Sequence, residues 1–400
     1  MSPSPGPLTG VVVADFTRIL AGPYATMLLA DMGATVIKVE GPGGDDSRQW
    51  IPPHREGVST YFMAVNRNKH SIVLDLKDPD DLRTAHRIVG EADIFMENFK
   101  PGGLDRFGLD AESVAQRWPH LIHASITGFG SGKGRELPGY DLLVQGISGL
   151  MSVTGNPDGD PQRAGVAMFD VITGLHAVMG VLGALHERNV SGQGQHLELD
   201  LLSSALSGLV NQTTGYAACG NVPSRLGNEH PSLFPYGPFP AHDANIIICA
   251  GNDTQFIRLM EALSLTEAAE SPLFASMEAR NRNREALRAL MVDRLSTKTA
   301  EEWSAVLRER GIPSAPILGI DGGVEFAKSM GLDPVVPTGT REDSVPTIKH
   351  PVRYTRTPAS YAKAPPQLGA DTAQVLSWLD ERSAGERLDS HDASSLNRVS

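Results

Sequence analysis

Between residues 11 and 40 the hydrophobic pattern changes period twice, and no other feature narrows the possible folds as much. Val11 to Phe16 is an apolar run interrupted only by Asp15, Tyr24 to Met32 carries apolar side chains at helical spacing, and Thr35 to Glu40 is strand-like again. A strand that returns through a helix lies parallel to its predecessor, so repetition of this unit builds a parallel sheet with helices on its faces. Further strands are predicted over Ser71 to Leu76, Asp93 to Met96, Leu121 to Ile126 and His196 to Leu201, with helices over 79–91 and Ser203 to Ala218. The expected fold class is α/β, with a Rossmann-like parallel sheet in a large domain.

Periodicity stops between Gly220 and Phe239, where Pro and Gly dominate, and this stretch reads as a linker. Asn245 to Leu318 then has the size and pattern of a small α+β domain. The expected segments are 1–220 (large domain, after a Pro/Ser tail at 1–9), 221–325 (linker and small domain), 326–380 (short strands and a helix at Asp371 to Leu379) and 381–400 (disordered tail). The formal net charge of −12 argues against nucleic-acid binding, and a polyanionic ligand would have to be met by a local cluster of cations. Cys219 and Cys249 stand far apart with no His/Cys cluster beside them, so neither a disulfide framework nor a metal site is expected. No stretch reads as a membrane span, and the start lacks the regions of a signal peptide, so cytoplasmic residence is the expectation.

Four stretches carry candidate chemistry. The turn Thr17 to Pro23 lacks the GxGxxG of a dinucleotide site, which disfavours an NAD-dependent dehydrogenase; Arg18 there is either an anion partner or a solvated arginine. In Glu97 to Gly108 an aromatic at Phe99 suits a purine face and a guanidinium at Arg106 suits a phosphate, while a core role for Phe99 is equally open. The glycine-rich Gly128 to Gly134 lacks the Gly-Lys-Ser/Thr ending of a phosphate-binding P-loop. In Pro138 to Leu185 one carboxylate, Asp170, sits among small and apolar residues ahead of a Gly/Ala/Leu helix, where it either caps that helix or does chemistry.

These stretches together resemble the family III CoA-transferases over most of residues 8 to 380. The resemblance is carried by GYDLLVQGISGLMSVTG, FDVITG and GALHERNVSGQGQHLELDLL, with Asn66-Arg67-Asn68-Lys69 and the LDLK that follows, the ENFKPGGLDRFG segment and the RLGNEHPSLFPYGPF segment. It implies that Asp170 is the nucleophile, and that CoA is contacted at Leu20, Ala21, Leu74, Lys77, Asn98, Phe99, Lys100 and Arg106, with Tyr140 and Asp141 completing the set. It further implies that 326–380 returns to the large domain, and that the protein is an interlocked homodimer. Acyl-CoA and a small carboxylic acid are the implied substrates, with no permanently bound cofactor and no metal. Arg225 and His230 are possible contacts for the acceptor acid. The chain departs from the formyl-CoA transferase pattern at Pro138-Gly139, where that enzyme has a lysine before the tyrosine, at Gly41, where it has an arginine, and in lacking its long glycine loop. The rival readings are a 2-methylacyl-CoA racemase, whose histidine would stand where this chain has Tyr140, and a CoA-binding protein without turnover.

Overall fold

The computed structural model describes residues 6–340, 342 and 344–382, so the tail expected at 381–400 lies, from 383 on, outside the described residues. Two compact units are present. The first takes the described residues up to Ser148, then Ala164–Gly220 and those from Asp333; the second takes Gly149–Arg163 and Asn221–Leu332. Residues 149–163, expected in the large domain, therefore cluster with the second unit, and the later boundary falls at Leu332 rather than at 325.

The first unit is built on six strands: β1 (Val12–Phe16), β2 (Thr35–Glu40), β3 (Lys69–Val73), β4 (Ile94–Glu97), β5 (Ile122–Thr127) and β6 (His196–Asp200). Their order is β3-β2-β1-β4-β5-β6 and every neighbouring pair is parallel. Val13, Val36, Ile94 and Ile122 are fully buried, as strands covered on both faces must be. Connections run outward from β1 in both directions, so the strand order reverses between β1 and β4 and opens a crevice at their carboxyl ends.

One face of β1 sends Val12, Ala14 and Phe16 into a core shared with helix α2 (Pro79–Gly90) and with Val375 and Leu379 of the helix at 372–382. The other face lies under α1 (Ala21–Asp31) and is partly polar: Asp15 accepts from Thr26 at 2.7 Å and from Lys69 at 3.0 Å. Lys69 explains why β3 begins two residues before its expected start. Its ammonium is also held by Pro23 O and Asn66 Oδ1, which fixes the strand entry from inside. Residues 6–8, expected in a loose tail, belong to the fold, since Leu8 is buried and its N–H donates to Met32 O at 2.9 Å.

Downstream come α3 (Asp141–Ile147), α4 (Met168–Ser191) and α5 (Leu201–Gly208). The single helix expected over 203–218 breaks at Val210, whose φ is 42° and whose carbonyl accepts from Thr213 Oγ1; a second helix starts at Asn211. With 24 residues α4 is long and apolar enough to cross a membrane by length and composition, against the expectation that no stretch is. Its Phe169, Thr173, Gly174, Ala177, Val181, Ala184 and Leu185 are buried within the unit.

The second unit holds a three-stranded antiparallel sheet of β7 (Tyr236–Pro240), β8 (Asn245–Cys249) and β9 (Ser314–Pro316), with β8 central. Its core gathers Phe234, Phe239, Ile246, Ile248, Phe256 and Leu259. A hairpin of β10 (Val335–Thr338) and β11 (Val345–Ile348) belongs to the first unit.

Candidate active site

The segments that follow β1 to β4 all emerge at the carboxyl edge of the sheet. Across the β1/β4 crevice the Asn98 amide acts as a reciprocal clamp: its Oδ1 accepts from Arg18 N at 3.0 Å and its Nδ2 donates to Arg18 O at 2.8 Å. The next residue, Ile19, sits at φ 73°, a left-handed conformation that costs a β-branched side chain energy. Asp45 holds it there, accepting from Ile19 N with both oxygens at 3.2 Å, from Ser47 N and Oγ, and from the buried Lys38 ammonium at 2.9 Å. Against the cost of burial, Lys38 and Ser47 pull the Asp45 carboxyl down to about 2.

The structure brings the residues singled out for CoA to this one edge. Leu20 is half-buried just before α1, and Ala21 is the buried first residue of that helix. Leu74 is buried, and its N–H donates to Glu40 O at 2.8 Å. Lys77 and Arg106 are exposed and have no ion pair among the described residues; the Arg106 guanidinium lies 4.6 Å from the Phe107 ring centre. Phe99 is half-buried and packs on the core, leaving part of its face open. Lys100 is engaged by Glu136 at 2.5 Å. The other cations of the Asn66–Lys77 block turn inward, Arg67 onto Asp31 at 2.6 Å and Lys69 onto Asp15.

Asp170 is the third residue of α4, and it is not the cap. That role belongs to Asp141, whose Oδ1 accepts from Phe169 N at 2.7 Å and Asp170 N at 3.2 Å, and whose Oδ2 accepts from Gln145 Nε2 at 2.5 Å. Gln145 in turn ties down the chain ahead of α4 through Val166 O and Ala164 N. The Asp170 carboxylate is left half-buried, without a hydrogen bond or ion pair among the described residues. Burial, with the Asp141 charge beside it, pushes its pKa up to about 7. A desolvated carboxylate with no donor of its own and a strongly shifted pKa has the makings of a nucleophile.

Two close approaches fix this geometry. A Cβ on Gly174, one turn beyond Asp170, would lie 2.7 Å from Ala21 O and 3.2 Å from Tyr24 Cδ1, so α4 seats its first turns directly on the start of α1. Gly128 and Gly139 cross with no room for a side chain on either, a Cβ on Gly128 falling 2.4 Å from Gly139 Cα. That crossing sets Tyr140, which exposes 59 % of its surface, and Asp141 at the end of β5. Tyr61 escaped the sequence reading, because a tyrosine ahead of Asn66 carries no periodic or motif signal of its own. Its phenol is raised to about 12 by burial and then by the charges of Asp170, Asp141 and Asp45. In the second unit Arg225 is spent on the carbonyls of Asn156, Pro157 and Gly159, and His230 Nδ1 accepts from Ser232 N and Leu233 N.

Comparison with known proteins identifies the family. The family described as CoA-transferase family III matches residues 8–372. A succinate–glutarate CoA-transferase of Agrobacterium fabrum is 40% identical over 396 residues, covering 94% of this chain and 97% of that protein. A succinyl-CoA:glutarate CoA-transferase of Homo sapiens is 37% identical over 390 residues, covering 96% and 89%. The crystal structure of a CaiB/BaiF family protein from Brucella suis superimposes with a TM-score of 0.85 at 38% identity, over 94% of this chain and all (100%) of that one. The chain belongs to CoA-transferase family III.

Proposed function

We propose that this CoA-transferase moves CoA between two small dicarboxylic acids through covalent intermediates on Asp170. An Asp170 oxygen attacks the donor thioester carbonyl, the C–S bond breaks, and an acyl–aspartyl anhydride and CoA thiolate result. The thiolate then attacks the aspartyl carbonyl, releasing the donor acid and leaving an aspartyl–CoA thioester. The acceptor carboxylate opens that thioester to a second anhydride, and the thiolate takes the acceptor's acyl group, returning Asp170 as a carboxylate. No water is consumed and no net proton moves, so a chain that keeps water out loses nothing. Leu20, Ala21, Leu74, Lys77, Asn98, Phe99, Lys100 and Arg106 form the CoA site, with Tyr140 and Asp141 nearer the reacting end. The uncapped, unpaired state of Asp170 is the observation that carries this reading. The names of the two relatives, both of which include succinate or succinyl and glutarate, support dicarboxylic substrates.

A racemase would need a second base beside Asp170. The groups at hand are Tyr140, which stands in place of the racemase histidine, and Asp141, whose oxygens are committed to three donors. Asp170→Asn is expected to abolish transfer, and incubation of the wild type with succinyl-CoA followed by hydroxylamine or borohydride trapping should mark Asp170 by peptide mass analysis. An active Asp170→Asn enzyme with no adduct under turnover would falsify the mechanism, and acceptor-independent deuterium exchange beside the thioester would favour the racemase.

A further inference from the structure

A pocket of about 340 Å³ lies beside α1, within the size range of small-molecule sites. Its walls are mostly apolar: Met27 and Leu28 of α1, Met63, Val335 of β10 and Ile348 of β11. Its polar lining is Tyr24, Thr60, Arg67, Thr347 and Lys349. Arg67 is neutralised by Asp31 and also donates to Thr347 Oγ1 at 3.5 Å, and Thr60 donates to Pro53 O at 3.4 Å. Lys349 and Tyr24 differ. Both are half-buried, and neither the ammonium nor the phenol has a hydrogen bond or ion pair among the described residues. A half-buried cation without a counter-charge, set in an apolar wall, is complementary to an anion on a short hydrocarbon chain.

The pocket adjoins the helix that carries the nucleophile through Tyr24. The Tyr24 ring packs against Gly174, one turn along α4 from Asp170, while its phenol feels the Arg67 and Asp31 charges at the far end of α1. Gly174 itself seats on the carbonyl of Ala21, the first residue of the helix that carries Tyr24, Met27 and Leu28 into the pocket wall. Tyr24 thus touches both the helix that carries Asp170 and the pocket whose uncommitted cation is Lys349.

We infer that this pocket receives the chain of the dicarboxylic acid and that Lys349 binds its distal carboxylate, with the Tyr24 phenol as a second donor, making Lys349 the residue that sets the preference for dicarboxylic over monocarboxylic acids. The inference rests on the CoA-transfer reading, and the tests separate the two. With succinyl-CoA as donor, Lys349→Met lowers kcat/KM for glutarate by about tenfold or more relative to kcat/KM for pentanoate, the loss of one charge-assisted contact, and Lys349→Arg restores most of the ratio. Ile348→Trp, which fills the pocket from its exposed rim, lowers kcat/KM for glutarate relative to oxalate. In titration calorimetry glutarate binds the wild type and binds Lys349→Met about tenfold more weakly. An unmoved glutarate-to-pentanoate ratio, or glutarate affinity that is absent or independent of Lys349, overturns the assignment. Lys349-dependent binding in a protein that transfers no CoA would instead sink the transfer chemistry and leave the pocket standing.

Discussion

Burial, with the Asp141 charge beside it, raises Asp170 from an ordinary 3.8 to about 7 in the folded chain, and the sign of that displacement has a consequence for stability. Between those two values the folded chain holds a proton that the unfolded chain has released, so stability declines as pH rises through the window, and the penalty is complete above about 7. Asp170→Asn removes the penalty without removing a bond. It should therefore be more stable than the wild type at pH 8 by about 1 kcal/mol or more, and unfold at a higher temperature, with the gain vanishing toward pH 4. Equal melting curves at pH 8, or a gain that grows on acidification, would contradict the geometry. In the wild type kcat/KM should climb with pH up to about 7, because only the ionised carboxylate attacks. Asp170 was legible in the sequence as a lone carboxylate in a small apolar window; its freedom from capping was not, since Asp141 lies 29 positions earlier and meets it only through the fold.

The helices and strands were legible in kind because their periods are local, and they shifted where a long-range contact intervened. β3 starts early because Lys69 is tethered to Asp15, 54 residues away, and the helix after β6 breaks at Val210, two residues beyond the close approach of Gly208 to Ile172 of α4. The pairing of α3 with α4 through Asp141 is the clearest case of an element defined by its neighbour. Asp141→Ala should cost about 1–2 kcal/mol of stability in denaturant melts, as loss of a cap does, and should lower kcat by leaving the first turn of α4 unanchored. Asp141→Asn keeps an acceptor and should recover most of the stability. An Asp141→Ala variant with wild-type stability would show that the Gln145 network holds the turn unaided.

At the scale of the whole chain, the resemblance implied an α/β unit assembled from both chain ends, which periodicity did not show, and the sequence reading missed that residues 149–163 cluster with the second unit, because a Gly/Pro/Asp-rich loop carries no periodicity to say where it packs. The surface of the first unit also bears on assembly. On α4, Leu175, Met179 and Leu182 are exposed, Met179 over 67 % of its surface, and Leu142, Leu143 and Ile147 of α3 are exposed too. Apolar area of this kind on neighbouring helices fits a second copy of the chain, as the interlocked homodimer implied by the resemblance requires. Light scattering at micromolar concentration should give twice the 42.8 kDa chain mass, and an active species at the single-chain mass would refute the dimer. The length of α4 adds a further consequence. A chain newly released from the ribosome, before it meets a second copy, carries an apolar rod as long as a bilayer is thick with part of its stripe open to water. With the second copy that the resemblance implies, partner capture and adhesion to lipid would compete for that face, so expression at a low level should leave part of the chain in the membrane fraction of a lysate, and its absence there at every level would refute the competition.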